Sequence, residues 1–290
     1  MRTVAAAPRL TRRRTSLTRA IKGALGYLVL AIGFLIFVFP FVTMVTGSVK
    51  NTNEIVTTKL TLLPRVWAWS NYTQLFERLP FERNLLNSAI VATSHTALVL
   101  FLCSLAGFTF AKLRFPGREQ LLAVLVSTMM IPGLVGLVPT FIIVSRLHWL
   151  DTYWPLIIPG AANAFGIFMM RQYCSAIPDE LIDAARIDGC SSFRVYSSVA
   201  MPILKAAFAV LGFITFMGSW NDYLWPLIVL KRMDMYTVQV ALATLKGLGY
   251  VIPYGVLLAG AMFGALPAVV LFLVFQRWFV SGILSGALKG

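Results

Sequence analysis

Charge is what this chain has least of. Asp, Glu, Lys and Arg make up 12% of its 290 residues, against about 25% in ordinary soluble domains. A solvated globular surface cannot be built from so few. Histidine is nearly absent: His95 and His148 lie far apart, and Cys103, Cys174 and Cys190 are solitary, with no CxxC spacing. That pattern argues against a zinc or iron–sulfur site and against redox chemistry, so all five read as buried or neutral filler. No G-x-x-x-x-G-K-[ST] segment is present to cradle phosphates. No cofactor or metal is expected, and no ATP hydrolysis by this chain itself.

What is present is hydrocarbon. Apolar residues make up 58% of the sequence, more than a water-soluble core of this length could hide, whereas lipid can serve as their solvent. About 20 mostly apolar residues cross a bilayer. Six stretches qualify, at about 24–46, 84–111, 120–145, 155–173, 206–230 and 254–280. The fourth is the shortest, with Pro155 and Pro159 interrupting its start. The expected fold class is therefore all-α, a polytopic membrane protein of six transmembrane helices.

Seven basic residues precede the first span, between Arg2 and Lys22. Nucleic-acid binding is a rival reading of such a tail, but Lys and Arg beside a span are better understood as holding it in the cytoplasm. A signal peptide is a second rival. The apolar run from Ala24 exceeds the roughly 7–15 residues of a signal-peptide core, so a retained span is expected. Six spans then place both termini in the cytoplasm. The basic residues agree: seven fall before the first span, three in the first cytoplasmic loop, four in the second and two after the last, 16 of the 25 in all. The domain reading is a basic tail over 1–23 and a transmembrane domain over 24–290.

Two connecting segments have helical grammar of their own. In the external segment 47–83, Trp67, Trp69 and Tyr72 suit an aromatic belt at headgroup level. Tyr72, Leu75, Phe76 and Leu79 fall at i, i+3, i+4 and i+7, the spacing of a short amphipathic helix lying on the outer surface. Within the second span, Ser104, Ala106, Gly107 and Ala111 are small enough for close helix approach.

The cytoplasmic segment 174–205 is the outlier, long for its place. Pro178 suits a first helical position, with Asp179 and Glu180 favourable in a first turn. Leu181, Ala184 and Ala185 form an apolar stripe. Gly189 can adopt φ > 0 and end the helix, after which Ser191 or Ser192 caps a second helix running to Pro202. The expectation is a helix, a tight corner and another helix.

These residues resemble a family motif. Asp183-Ala184-Ala185, then Gly189, then Val199-Ala200-Met201-Pro202 is similar in every spacing to the "EAA" loop of ABC importer permeases. Asp183 stands where Glu is usual, Val199 and Met201 replace Ile and Leu, and Ala206 stands where a proline often follows. Asn71-Tyr72, Asn87-Ser88, Phe115-Pro116-Gly117, Gly218 to Asp222 and Ser285 to Gly290 resemble the carbohydrate branch, in particular the second permease of maltose-type importers. The resemblance implies a type I importer fold in the bacterial cytoplasmic membrane. It also implies the partners: a second homologous permease, two ATP-binding cassette subunits, an external solute-binding protein and a carbohydrate solute. It assigns docking on the ATPase to Asp183, Ala184, Ala185, Gly189 and Pro202.

Asp222 is the only acidic residue inside an expected span, and an intramembrane carboxylate faces protein or water rather than lipid. With Trp220, Asn221 and Tyr223 it forms a candidate solute path, since sugars are held by aromatic faces and amide or carboxylate hydrogen bonds. An equal alternative is that Asn221 and Asp222 cap a broken helix or pair with the partner permease. With the histidines read as filler, nothing in another span can relay a proton to Asp222, which disfavours an ion-coupled secondary transporter. A permease for a polyol or glycerol phosphate is the nearer alternative.

Overall fold

A computed structural model describes residues 11–57, 61–247 and 252–287, with side chains over 22–57, 61–247 and 252–276. The first ten residues of the basic tail and the last three of the chain lie outside them. Every regular element among the described residues is helical.

Three helices are each long and apolar enough to cross a membrane: Lys22–Ser48, which continues a helix begun at Thr11, then Phe81–Lys112, and Tyr254–Gln276 within Tyr254–Ala287. They match the expected first, second and sixth spans, although the second begins at Phe81 rather than 84. The other three are interrupted. Arg118–Met130 and Gly133–Arg146 meet at 96°, because Pro132 offers no N–H to continue the ladder. The fourth is split into Trp154–Ile157 and Ala164–Ser175, with Gly160 at φ +76 between them. The fifth stops at Asn221 and resumes only over Leu224–Val229. Three continuous helices and two bent pairs among the described residues are long and apolar enough to cross a membrane, and non-helical backbone between apolar helices is tolerated where it is buried in protein or lines a cavity.

Phe81–Lys112 is the central helix. On one face it meets Ala164–Ser175 so closely that a Cβ at Gly107 would stand 2.7 Å from the Arg171 nitrogen and 2.7 Å from Met170 Cβ. One turn earlier, a Cβ on Gly166 would stand 2.8 Å from Cys103 Sγ. Of the small residues expected to allow close approach, Gly107 does so at this crossing. Lys205–Asn221 packs on the same helix, and Tyr254–Ala287 closes the bundle against the first long helix.

The expected amphipathic helix exists over Ser70–Arg78. Its apolar face, with Leu75 and Leu79 buried, packs on the bundle rather than lying free, and Phe76 and Phe81 meet the Phe263 ring edge-on. Asn71 pins it by donating to the carbonyls of Ser48 and Lys50, both at 2.9 Å. Trp67 and Trp69 stack on each other and are exposed.

Candidate functional site

The helix pair expected around Gly189 is present. Asp179–Ile187 forms the first helix. Gly189 has φ +80, a conformation open to glycine without steric cost, and the Ser191 hydroxyl accepts from Arg194 N at 3.4 Å to cap the second. That second helix does not stop before Pro202; it continues to Ile203. The backbone widens by one residue just ahead of the proline, with Met201 N–H bonding back to the Tyr196 carbonyl, so the ring is accommodated without ending the helix. An 82° bend at Leu204 then starts Lys205–Asn221.

Of the expected apolar stripe, Leu181 and Ala184 are exposed and Ala185 is half-buried, so the stripe lies on the outer side of the helix and its edge. The anchor is Ile182, 2% exposed in a core with Phe108, Met170, Val195 and Tyr196. Ala185, at i+3 from Ile182, is the half-buried edge of the same inward face.

Two further ties hold the pair to the central helix. Lys112, whose side chain is 5% exposed, donates to the Ile177 carbonyl at 2.6 Å and to Asp179 Oδ1 at 2.5 Å. Arg186 returns a bond to the Lys112 carbonyl at 3.3 Å. The ammonium holds the Asp179 carboxyl below the usual carboxylate range, so this carboxylate stays charged at every pH near neutrality. Farther along, the Tyr196 hydroxyl meets Ser104 Oγ at 2.6 Å and its ring packs against Phe108. On the outer side Ile187 and Phe193 are 86% and 60% exposed. Asp183 is also exposed and pairs only with Arg186 in its own helix, at 3.3 Å. The pair is therefore clamped from within and open outward, with an acidic and apolar face.

The candidate solute-path residues are not brought together. Trp220 is buried, stacks on Phe216 and donates its indole N–H to the Gly264 carbonyl at 2.9 Å, so it pins two helices together. Asn221 bonds Met217 and Gln239 at the exposed helix end, and Tyr223 is exposed. Asp222 alone lines a cavity. It sits at the break between Lys205–Asn221 and Leu224–Val229, in extended backbone.

The cavity has a volume of about 320 Å³ and is shared by His95, Pro159, Asn163, Phe165, Thr215, Ser219 and Asp222. His95 is therefore not filler, and the expectation that no titratable group in another span meets Asp222 is wrong. Its Nδ1 lies 2.8 Å from the Ile157 carbonyl. A carbonyl only accepts, so Nδ1 carries the proton and Nε2 remains for another partner. The signal was in the sequence, because an ionisable residue within an apolar span is a functional candidate by default.

Other residues singled out earlier prove architectural. Asn84 and Asn87 are buried and donate to the carbonyls of Met233, Asp234 and Tyr236 at 2.8–3.0 Å. Ser88 Oγ accepts from Val238 N at 2.8 Å. Together they fasten the segment after Val229 onto the start of the central helix. Gly117, at φ +77, ends the turn before Arg118. Among the described residues, no three His, Cys, Asp or Glu side chains group as a metal site.

Comparison with known proteins places this geometry in context. Residues 103–285 match the family described as binding-protein-dependent transport system inner membrane component. The chain is 34% identical over 263 residues to an arabinooligosaccharide transport system permease, AraQ, of Bacillus subtilis, covering 88% of this chain and 92% of that one. It is 33% identical to the lactose transport system permease LacG of Rhizobium radiobacter, covering 93% and 98%. It is 30% identical to the sn-glycerol-3-phosphate permease UgpE of Yersinia pestis, covering 89% and 95%. The fold is also similar to a chain of a bacterial ABC transporter that imports the acidic polysaccharide alginate, with a TM-score of 0.80 and 23% identity over 94% of this chain and all of that one.

Proposed function

Because the chain belongs to the family of binding-protein-dependent transport system inner membrane components, a multi-pass transport subunit and not an enzyme, we propose that it is the permease through which an ATP-driven importer takes up a carbohydrate. In this reading it pairs with a second homologous permease, two ATP-binding cassette subunits and an extracytoplasmic solute-binding protein. Both termini and the 174–205 segment face the cytoplasm. Arabinooligosaccharide and lactose permeases among its relatives favour a sugar. The glycerol-phosphate relative supports the second reading, a phosphorylated polyol.

One observation carries the coupling role: the helix pair is fastened to the central helix by Lys112, Ile182 and Tyr196, while Asp183, Ala184, Ile187 and Phe193 face outward. A rigid lever needs both properties. In this reading Ala184 and Ala185 allow close approach of the ATPase, Asp183 exchanges Arg186 for a basic partner there, Gly189 sets the corner and Pro202 lies where the lever meets the span. An exposed pair within one helix is weak enough to be exchanged. The test is co-purification: the ATP-binding subunit encoded with this chain should be retained with it from detergent. Replacing Ala184 by Trp should release that subunit, and undiminished retention would remove the helix pair from the interface.

A further inference from the structure

We propose that the cavity bounded by His95, Asn163, Thr215, Ser219, Asp222 and Trp225 is a solute subsite within this subunit, and that it takes an uncharged, hydroxyl-rich group while disfavouring phosphate or carboxylate. The proposal rests on the carbohydrate reading and deepens it.

Polar side chains here come from separate elements. His95 belongs to the central helix, Asn163 caps Ala164–Ser175 through its bond to Gly166 N at 2.7 Å, and Thr215 and Ser219 lie on Lys205–Asn221. Convergence of that kind in an apolar bundle carries an insertion cost with no benefit to packing. The backbone is also broken on two sides of the cavity, at Pro159 to Asn163 and at Asp222 to Tyr223. Breaks of this type place free peptide groups against a solute in membrane carriers. The volume of about 320 Å³ lies at the lower end of ligand sites, about 300–1,000 Å³, enough for one sugar unit.

A second cavity of similar size adjoins the first and shares Pro159, Asp222 and Trp225 with it. Its other walls are Gly133, Leu134, Gly136, Leu137 and Thr140, from the broken third span. Asp222 and Trp225 thus stand at the junction of two successive chambers. Trp225 is fixed by donating its indole N–H to the Pro155 carbonyl at 2.8 Å, which holds the ring in place as a stacking surface. His95 offers Nε2, Asn163 an amide, and Thr215 and Ser219 hydroxyls. This set donates to and accepts from sugar hydroxyls.

The charge balance gives the selectivity. Among the described residues, neither cavity is lined by Lys or Arg, and Asp222 is the one carboxylate in both. A phosphate or uronate would meet that carboxylate with no counter-cation. Even a protonated His95 only balances Asp222, leaving nothing for a second anion. A neutral sugar unit carries no such penalty.

The test uses the whole importer in lipid nanodiscs, with Cys190→Ser to remove the half-buried thiol. Cys103 and Cys174 are buried. A reporter thiol at Ile214→Cys, on the cavity wall, is alkylated by a neutral maleimide while candidate solutes are titrated in. Arabinotriose, lactose and maltotriose are the neutral probes; glycerol 3-phosphate and trigalacturonate are the anionic ones. A neutral saccharide should slow labelling and the anions should not. Asp222→Asn keeps the side chain's size but loses a charge-assisted hydrogen bond to the sugar, so half-protection should need roughly tenfold more saccharide. His95→Gln should weaken protection likewise.

Protection by anions equal to that by saccharides overturns the selectivity. Absence of protection by any neutral saccharide that the same importer accumulates in proteoliposomes overturns the subsite and leaves the carbohydrate reading standing. Accumulation of glycerol 3-phosphate with no neutral saccharide overturns both.

Discussion

The crossing at Gly107 yields a prediction whose size follows from the coordinates. Gly107→Ala adds one carbon. That carbon would stand 2.7 Å from Met170 Cβ, 2.7 Å from the Arg171 nitrogen and 2.9 Å from the Met170 carbonyl carbon. Non-bonded carbons are comfortable at about 3.5–4.0 Å, so the shortfall is close to 1 Å. Two of the three neighbours are backbone atoms inside a helix, and no rotamer change can relieve them. Ala164–Ser175 must therefore shift bodily. Cys103 and Gly166 lie one turn away on the same two faces, so parting the helices at Gly107 also opens that contact. Overpacking of a tight site costs about 1–3 kcal/mol, and rigid neighbours put this one at the upper end. The gain in helix propensity from Gly to Ala, about 1 kcal/mol, offsets only part. Thermal unfolding of the purified importer in detergent should show a lowered midpoint and a smaller assembled fraction. Gly33→Ala is the control, since nothing in this chain lies within 4 Å of the added carbon. An unchanged midpoint for Gly107→Ala, or an equal fall for Gly33→Ala, would refute the reasoning.

Other expectations are briefer. Lys112→Gln removes the buried ammonium that ties Ile177 and Asp179 to the central helix, so uptake per ATP hydrolysed should fall while assembly persists, with Lys112→Arg restoring part of it. Asp179 is held below its usual range by Lys112, so its contribution is present above the ordinary carboxylate pKa and lost only as pH falls through the lowered one. Uptake of the wild type, followed as a pH profile, should show no loss from this clamp between neutrality and about pH 5. Asn87→Leu orphans the Asp234 carbonyl and takes away the acceptor of the Tyr153 hydroxyl, while Tyr236 keeps its bond from Asn84, at about 1–3 kcal/mol. Faster limited proteolysis within 230–237 would report it.

How legible all this was depends on how local the information is. Gly189 and Ser191 act on their own neighbours, so the corner and the cap could be read directly from residue type. Ile182 was harder, because Leu181 and Ile182 are adjacent apolar residues of equal size on a short helix and only the surrounding core selects which is buried. The break at Pro132 was hidden by hydropathy itself, which averages over some 20 residues and passes smoothly across a two-residue interruption. Pro159 and Asp222 were visible as interruptions; the cavity they border was not. His95 and Asp222 are far apart in sequence, and only the packing of Lys205–Asn221 on the central helix brings them to one wall.

The central claim is that the helix pair cornered at Gly189 transmits ATP hydrolysis to the solute path. Its most direct test is to measure hydrolysis and uptake together in proteoliposomes carrying the importer with Gly189→Val. A β-branched residue resists the φ of +80 seen there, at roughly 1–2 kcal/mol, so the corner should open and the lever lose its geometry. The prediction is an importer that still assembles and hydrolyses ATP but no longer accumulates solute in proportion. Normal binding-protein-stimulated hydrolysis accompanied by normal uptake in this variant would contradict the account.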